Sequence, residues 1–382
     1  MKVTVLQENL AKAVGIAQRF AATRGQLPIL SNILLATEKG RLKIAATNLE
    51  IGVKQWIGAK VEEEGEITVP AKVAAEFIMS LPKEKVNLGV EGEKLKISCG
   101  SYQAELRGIG AGEFPETKEI AGKEIGAWKL GEFEQMISQV ALAAATDEGR
   151  PILTGLRWRI GKEGVELAAT DGYRLSVKTV GKIRNDPTSL KLRGAGEEKI
   201  LIIPARALME VAQIGKGWAE TKEGGVKMGE VEKGGQVVFD LGDAQVTTRL
   251  LAGDFPEFAK IIPQESETVA EMEVEELAAA VRTAAIFARD SANVLRWEVG
   301  EGGIVIAANS PQVGENRIEV EAKVTGKGGK IAFNSRYVID MLGAIGSARI
   351  KFEMTEAVKP GVFRPVEGGD LLYLVMPVRL QE

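Results

Sequence analysis

Hydrophobic and polar positions change their spacing in a fixed order along this chain. Near the start, apolar residues recur every three or four positions, the spacing of one helix face; these residues are Leu10, Ala13, Val14, Ala17 and Ala21. Further on, apolar and polar residues alternate, as around Leu42 and Ile44, which is typical of a strand with one buried face. The pattern predicts a helix, then strands, then a second helix and further strands.

The same pattern occurs three times. One shift of the sequence against itself superimposes Ala45–Thr47 on Ala168–Thr170, and a second shift superimposes Leu156–Trp158 on Leu295–Trp297. Helical spacing returns in the third copy, at Leu277, Ala280, Val281 and Ala284. A repeat of roughly 125 residues is far longer than a solenoid unit of about 20 to 50, so each copy is expected to form a complete α+β domain.

The first two copies end in similar segments, "GEFPET" at Gly112 and "GDFPEF" at Gly253. Glycine and proline interrupt regular structure, so these segments predict linkers. We therefore predict three tandem domains, at residues 1–122, 126–256 and 262–382. Three similar domains in series indicate a curved or ring-like arrangement.

Composition excludes several classes of protein. Charged residues make up 27% and hydrophobic residues 45% of the 382 residues, a globular balance. No apolar run of about 18 residues is present to span a membrane, and the N-terminus carries no export signal, so a soluble cytoplasmic protein is expected. With one cysteine and no histidine, the chain cannot form intrachain disulfides, thiolate or imidazole metal clusters, or a histidine-dependent catalytic site. We predict no cofactor and no metal.

Sequence motifs for catalysis are absent. The chain has neither the GxxxxGK[ST] phosphate loop nor the GxSxG nucleophile motif. Asp240 and Asp243 are conceivable metal ligands, but "DLGD" is more simply a hairpin turn. The glycines of "GIGAGEFPE" at Gly108 lack the full GxGxxG spacing and precede a linker, which favours a flexible loop over a dinucleotide site. We predict no catalytic residue.

The segment "AATDGYRLS" contains the strongest candidate for a carboxylate site. Its Asp171 corresponds to Asn48 and Ser310 in the other copies, and all three are short polar residues that form turns. The comparison favours a turn, so replacing Asp171 by Asn should matter little. The main alternative is an enzyme built on Asp171 or Asp147 with Arg174.

Two features occur in one copy only. Gly172–Leu175 has no equivalent in the other copies, and the C-terminal segment "LLYLVMPVRLQE" is apolar almost to its last residue. An exposed apolar chain end needs a partner or a groove. A plain edge strand of the third domain would also explain the pattern.

The first predicted helices lack acidic residues. The windows 10–24, 136–146 and 277–289 contain no Asp or Glu, although the formal net charge of the chain is −4. A surface without negative charge on an acidic protein suits a polyanion that is held without base-specific contacts. A basic residue lies near the start of each second predicted helix and is followed four positions later by an acidic residue. The simpler role for this basic residue is an ion pair with that acid. The three basic residues are Lys72, Arg206 and Arg336.

Four motifs, in order, closely resemble the bacterial DNA polymerase III beta subunit, the sliding clamp family. They are "LPILSNILL" at Leu27, "ATDGYRLS" at Ala169, "GDFPEF" at Gly253 and "YLVMPVRL" at Tyr373, and the resemblance covers essentially the whole chain. It implies a non-catalytic head-to-tail homodimer of α+β clamp domains, closed into a ring with helices around duplex DNA and antiparallel sheets outside. Such a ring holds DNA without sequence preference and binds DNA polymerase, clamp loader and repair proteins through short peptide motifs.

The resemblance also implies which residues contact these partners. For DNA, they are the loop residues Arg24 and Arg150 and the helix residues Lys72, Arg206 and Arg336. For partner peptides, a pocket between domains two and three would include Thr170, Gly172, Tyr173, Arg174, Leu175, Pro256, Val375, Met376, Pro377, Val378 and Arg379. For the dimer, which would join domains one and three, apolar candidates on a terminal strand and at a helix end are Leu106, Ile286 and Phe287. A repeat scaffold that never closes on DNA is the second alternative.

Overall fold

The structure is a computed structural model with side chains. It describes residues 1–23, 27–115, 124–147, 149–161, 164–181, 198–219, 224–231, 235–312, 314–367 and 369–379.

In its described residues, the first repeat contains nine strands and two α-helices. In chain order they are β1 (Lys2–Leu6), α1 (Gln7–Gln18), β2 (Asn32–Glu38), β3 (Arg41–Thr47), β4 (Ile51–Gly58), β5 (Lys60–Glu63), β6 (Glu66–Pro70), α2 (Ala71–Ser80), β7 (Lys85–Glu91), β8 (Lys94–Cys99) and β9 (Tyr102–Arg107).

The second and third repeats follow the same order, except that the described residues of the second contain no counterpart of β5. The second comprises β10 (Glu124–Lys129), α3 (Leu130–Ala141), β11 (Gly155–Gly161), β12 (Gly164–Thr170), β13 (Arg174–Val180), β14 (Lys199–Pro204), α4 (Ala205–Ala219), β15 (Gly225–Glu230), β16 (Gln236–Asp240) and β17 (Ala244–Arg249). The third comprises β18 (Thr268–Glu273), α5 (Val274–Ala288), β19 (Val294–Gly300), β20 (Gly303–Ser310), β21 (Gly314–Glu321), β22 (Lys323–Gly326), β23 (Gly329–Asn334), α6 (Ser335–Ala344), β24 (Arg349–Met354), β25 (Gly361–Pro365) and β26 (Leu371–Val375).

The predicted alternation of helices and strands is confirmed, with one correction. Each repeat begins with a short strand, β1, β10 or β18, before its first helix. The predicted helical residues Leu10, Ala13, Val14 and Ala17 lie on the buried face of α1, whereas Ala21 is buried beyond the end of that helix. Within the described residues, no helix is long and apolar enough to cross a membrane.

The chain divides into two compact units, which differ from the three repeats. The first unit consists mainly of Met1–Leu130 and Gln213–Leu250. The second consists mainly of Gly131–Leu190, Gly194–Ala212 and Leu251–Glu382. The second repeat thus contributes to both units, because each unit contains a sheet that continues from one repeat into another.

The first unit contains a five-stranded sheet, β5-β1-β7-β8-β9, and an eight-stranded sheet, β10-β15-β16-β17-β4-β3-β2-β6. Antiparallel pairing of β17 with β4, with Val246 opposite Val53, makes the larger sheet continuous between the second and first repeats. Leu10 and Val14 of α1 and Ile44 of β3 are completely buried in this unit. Their helical and alternating spacings in the sequence reflect this core.

The second unit contains a nine-stranded sheet, β14-β11-β12-β13-β26-β25-β24-β18-β22, and a four-stranded sheet, β21-β20-β19-β23. Antiparallel pairing of β13 with β26 joins the second and third repeats, with Leu175 opposite Leu374. The aromatic core packs Trp297 against Phe333 and Phe352, with both ring centroids 5.5 Å away. A Cβ atom at Gly361 would lie 2.4 Å from the Phe333 ring, so glycine is needed there.

One pairing rule governs both sheet junctions. In each repeat the first three strands after the first helix form a meander that ends in β4, β13 or β21. The last strand of the second repeat, β17, pairs with β4, and the last strand of the third, β26, pairs with β13. In the sheets as described, this leaves β9 and β21 at the ends of the five-stranded and four-stranded sheets.

Candidate functional site

The turn between β12 and β13 is fixed by the side chains of Thr170 and Asp171. Asp171 Oδ1 accepts hydrogen bonds from the backbone N–H groups of Tyr173, at 2.9 Å, and Arg174, at 3.0 Å. Thr170 Oγ1 accepts from the N–H of Gly172 and donates to the carbonyl oxygen of Arg174. Gly172 has φ of 93°, the left-handed region that glycine adopts without a steric cost.

The first repeat contains the same turn between β3 and β4. Asn48 Oδ1 accepts from the N–H groups of Glu50 and Ile51, at 3.0 and 2.9 Å, and Thr47 Oγ1 makes the two bonds that Thr170 makes. In the third repeat Ser310 Oγ accepts from the N–H of Gln312 at 3.4 Å. The prediction that Asp171 forms a turn is therefore confirmed.

Arg174 distinguishes the second repeat, since Ile51 occupies this position in the first. Its Nε donates to Asp171 Oδ2 at 2.9 Å and its Nη1 donates to Asp340 Oδ2 of α6 at 2.7 Å. The guanidinium carbon lies 4.6 Å from the centre of the Tyr337 ring, a cation–π distance. Its side chain is only 12% exposed, so this charge is compensated by neighbours rather than by water.

The hydroxyl of Tyr373 completes this polar cluster. It lies 3.5 Å from Arg174 Nη1 and donates to the Tyr337 carbonyl oxygen at 3.3 Å. Burial raises the pKa of Tyr373, and Arg174 only partly offsets that effect. Burial by itself lowers the pKa of Arg174, but Tyr373, Asp340 and Asp171 raise it overall. Arg174 therefore remains charged and Tyr373 remains protonated.

An apolar cluster lies beside the same turn. It begins at Leu175, which points to the opposite face of the sheet from Arg174 because successive strand residues alternate between the two faces. Its buried members are Leu175, Val362, Leu372 and Leu374, and the partly buried residues packed on them are Val177, Phe258, Ile262 and Met376. Exposed apolar side chains adjoin the cluster in sequence at Tyr173, which is 61% exposed, and Ile261. These partly covered apolar groups make up a candidate binding surface.

The corresponding face of the junction in the first unit is not apolar. In the pairing of β4 with β17, Gly52 lies opposite Thr247 and Lys54 lies opposite Gln245. The equivalent positions in the pairing of β13 with β26 hold Leu175 opposite Leu374 and Val177 opposite Leu372. Backbone pairing is the same in both junctions, so joining the repeats does not require an apolar surface there. The apolar cluster therefore has a reason specific to the second junction.

The C-terminal segment forms part of this surface. All five residues of β26 are buried, and β26 lies between β13 and β25, so the alternative of a plain edge strand is wrong. Beyond the strand, the N–H of Met376 donates to the carbonyl oxygen of Tyr173 and that of Val378 to Ala332, both at 2.8 Å. Pro377 and Val378 are half-buried and Arg379 is exposed.

Several members of the apolar cluster were not predicted from the sequence. Pro256, the predicted linker residue, is exposed, whereas Phe258 packs on the cluster with Arg157 5.6 Å from its ring centre. A signal for Phe258 exists, because "GDFPEF" has phenylalanine where "GEFPET" has threonine. Val362 and Ile262 lie in segments that no motif marked.

The residues predicted to contact DNA lie in different settings. Arg24 is outside the described residues. Arg150 is exposed and its Nη2 donates to the carbonyl oxygen of Asp171 at 2.9 Å, which places it on the turn beside the apolar cluster. The other three are exposed second residues of α2, α4 and α6: Lys72, Arg206 and Arg336. Lys72 lies 4.0 Å from Glu76, the predicted intrahelical pair.

The residues predicted for a dimer contact have partly uncovered side chains. Leu106 is half-buried in β9, at the end of the five-stranded sheet. Ile286 and Phe287 lie in the last turn of α5, where Ile286 is 51% exposed and Phe287 is half-buried.

The pairing of Asp171 with Arg174 changes the predicted effect of Asp171→Asn. Asparagine keeps the turn, as Asn48 does, but its amide nitrogen cannot accept a hydrogen bond from Arg174. We expect Asp171→Asn to lower the free energy of unfolding by about 1.5 to 3 kcal/mol, the range for a hydrogen bond to a charged group. We expect Asp171→Ala to lower it further, because the turn is lost as well.

Urea unfolding followed by tryptophan fluorescence measures both effects. Asn48→Ala removes only the equivalent turn and calibrates that contribution. An unfolding free energy unchanged in Asp171→Asn would show that the pair with Arg174 contributes nothing measurable.

The fold defines a DNA clamp: three similar α+β repeats with sheets that continue from one repeat into the next, and an apolar cluster that is a candidate binding surface. The clamp of Bacillus subtilis matches with a TM-score of 0.89 at 25% identity, and the beta subunit of Thermotoga maritima with 0.87 at 27%, both over 100% of each chain. Models of the DNA polymerase III beta subunit match residues 1–118 (N-terminal domain), 129–257 (central domain) and 259–379 (C-terminal domain).

Relatives named beta sliding clamp match over the full length. That of Streptomyces coelicolor is 30% identical over 391 residues and that of Synechocystis is 28% identical over 393 residues, in both cases over 100% of each chain. The chain belongs to the DNA polymerase III beta subunit family, the sliding clamps, which confirms the resemblance, the α+β three-domain fold and the non-catalytic function inferred from the sequence. Sliding clamps are processivity factors of DNA replication.

Proposed function

We propose that two copies of this chain close head to tail into a ring that encircles duplex DNA. The ring tethers DNA polymerase, the clamp loader and repair proteins through short peptides bound at the apolar cluster. It acts in the cytoplasm and comprises three domains per chain, at 1–122, 126–256 and 262–382. The observation that carries the proposal is the pairing rule of the sheet junctions.

That rule supplies the argument for the ring. Within the chain, a last strand pairs with the third meander strand of the preceding repeat, as β17 with β4 and β26 with β13. A pair of β9 with β21 of a second copy follows the same rule. It would join the five-stranded sheet of one copy to the four-stranded sheet of the other. The joined sheet would have nine strands, the same number as the largest sheet of the second unit. Two such contacts close a dimer and leave neither strand exposed.

Side chains near these two strands suit a contact between copies. Leu106 on β9 and Ile286 with Phe287 on α5 offer apolar area, which drives association when it is removed from water. Tyr102 on β9 is 53% exposed, an aromatic group of the kind enriched at interfaces. We therefore assign Leu106, Ile286 and Phe287 to the contact between the first and third domains of different copies.

Binding to DNA would be electrostatic and independent of sequence. Lys72, Arg206 and Arg336 occupy equivalent positions on three separate helices, so their charges are distributed instead of forming one base-reading element. We propose that they face the phosphates together with Arg24. Arg150 is proposed for the same role, although its contact with the Asp171 turn equally suits a position at the peptide site.

Retention on circular DNA tests the ring. Clamps loaded onto a nicked plasmid by a clamp loader with ATP should remain bound through gel filtration, because a closed ring leaves a circle only by opening. Cutting the plasmid once should release them within minutes. Direct binding to short duplexes should be weak and should fall steeply with salt. Equal retention on circular and linear DNA, or a strong sequence preference, would contradict encirclement.

The apolar cluster would hold the hydrophobic residues of partner peptides. A sliding clamp of Pseudomonas aeruginosa has been crystallised bound to griselimycin, and its fold matches this chain with a TM-score of 0.88 at 25% identity. We propose a binding site formed by the turn Thr170–Arg174, the strand residues Leu175 and Val375 and the tail Met376–Arg379, with Pro256 on the linker. Phe258 and Ile262 add to its apolar wall.

A further inference from the structure

Asp340 departs from its equivalent in the first repeat. It is the sixth residue of α6, the position that Glu76 has in α2 and Glu210 has in α4. Glu76 lies 4.0 Å from Lys72 of its own helix, and both side chains are well exposed. Asp340 Oδ2 instead lies 2.7 Å from Nη1 of Arg174, so this carboxylate reaches from the third repeat to the second.

Arg174 is held from three directions. Asp171 binds its Nε from the turn, Asp340 binds its Nη1 from α6, and the Tyr337 ring of α6 covers the guanidinium at 4.6 Å. A charge that is mostly removed from water is stable only while its partners remain, since removing one leaves an uncompensated buried charge. Without Asp340, the guanidinium is expected to leave this cluster for solvent.

The backbone connects Arg174 to the binding surface on both sides. The next residue, Leu175, is a fully buried member of the apolar cluster. The carbonyl oxygen of the preceding residue, Tyr173, accepts a hydrogen bond from the N–H of Met376 at 2.8 Å, and Met376 packs on the same cluster. A movement of Arg174 would therefore displace both Leu175 in the apolar cluster and Met376 in the tail.

We propose that Asp340 is a positioning residue of the peptide site: by fixing the Arg174 guanidinium, it keeps Leu175 and Met376 in the arrangement that binds. The inference rests on the proposed function of the apolar cluster in binding partner peptides. Asp340 itself does not need to touch the peptide. Glu76, the equivalent acid of α2, lies near Lys72 of its own helix instead.

Chemical modification of Arg174 tests the positioning step without any peptide. In the full-length protein, phenylglyoxal should modify Arg174 slowly, as read by mass spectrometry of the peptide that contains it. Asp340→Asn, which removes the charge with little change in shape, should speed modification about tenfold, the effect of losing one charge-assisted hydrogen bond. Asp340→Glu should restore part of the protection. Glu76→Gln, the same charge change at the equivalent position of α2, should leave the Arg174 rate unchanged.

Peptide affinity tests the consequence. A fluorescein-labelled Gln-Leu-rich peptide should bind Asp340→Asn about 3- to 30-fold more weakly, as for other substitutions that act through an intermediate residue. Asp340→Glu should bind the peptide with an intermediate affinity, and Glu76→Gln should bind it as tightly as the unchanged protein. The melting temperature and sedimentation of each variant should show an intact fold and an unchanged dimer.

Each contrary result has a definite meaning. Arg174 that stays protected in Asp340→Asn overturns the positioning role, whatever the peptide does. Arg174 that becomes reactive while affinity stays constant shows that the pair does not support binding, which also overturns the proposal. If the unchanged protein binds no peptide, the proposed peptide-binding function fails, whereas the modification rates still decide whether Asp340 fixes Arg174.

Discussion

The chain carrying Phe287→Asp is expected to sediment as a single chain of 41.0 kDa at micromolar concentration, whereas the unchanged protein should sediment at about twice that mass. Phe287 is half-buried in the last turn of α5 beside the exposed Ile286. In the proposed ring this apolar pair lies at the contact with the first domain of the second copy. A carboxylate introduced there would be desolvated without a partner, which costs about 3 to 5 kcal/mol per contact. The dimer contains two such contacts, so dissociation is expected.

A matched charge outside the proposed contact controls for general effects. Val358, in the hairpin between β24 and β25, is 63% exposed, and Val358→Asp should leave the sedimenting mass unchanged. Circular dichroism and the melting temperature should show that Phe287→Asp remains folded. If the unchanged protein is strictly monomeric at micromolar concentration, that result counts against the ring, because the ring requires β9 of one copy to pair with β21 of the other.

The repeats made most of the fold accessible from the sequence. Three copies of one hydrophobic pattern reveal element order, because helical and alternating spacings return at the same places. The initial strands were missed because β1 has only five residues and runs directly into α1 at Gln7, without a turn. Its partners β5 and β7 are distant in sequence, so its pairing has no local signal. The division into two units was also inaccessible, since it depends on which strands meet between repeats.

The turn at Asp171 was predictable, but the pairing of Arg174 was not. Asn48 and Ser310 act as internal controls for the turn. Asp340 is 166 positions from Arg174, and sequence spacing favours the nearer Arg336. Pairs between exposed side chains contribute about 0 to 1 kcal/mol, whereas a buried charge loses several kcal/mol without a partner. Burial of Arg174 therefore decides where Asp340 points, and burial is known only once the third repeat packs on the second.

The apolar cluster shows the same limit. Its tail and the segment Gly172–Leu175 could be found because neither sequence recurs in the other copies. Val362 and Phe258 could not be assigned to the cluster from the sequence. An apolar strand residue or a linker aromatic has the same sequence pattern whether it faces the core or a binding surface. The comparison of the two sheet junctions marks only the strand residues of the cluster: Leu175, Val177, Leu372 and Leu374 stand where the first unit has Gly52, Lys54, Gln245 and Thr247.

Deleting residues 378–382 is expected to abolish peptide binding while the dimer stays intact. The ladder of β26 ends at Val375, so the nine-stranded sheet is retained. What is lost is the anchor of the tail, because the N–H of Val378 donates to the Ala332 carbonyl oxygen on β23 at 2.8 Å. Without it, the tail beyond β26 keeps only the bond from the Met376 N–H to the Tyr173 carbonyl oxygen, and we expect Met376 and Pro377 to pack less firmly on the apolar cluster.

The size of the effect follows from the packing of Met376 against the cluster. Loss of a well-packed central contact costs at least about 2 kcal/mol, or roughly a 30-fold loss of affinity, and more when neighbouring contacts are lost with it. Fluorescence anisotropy of a labelled Gln-Leu-rich peptide measures this loss, and sedimentation at the same concentration checks the dimer. Deleting only Gln381 and Glu382 is the matched control and should leave affinity unchanged, because it retains the Val378 anchor. Unchanged affinity after the longer deletion would show that partner peptides bind elsewhere on the clamp.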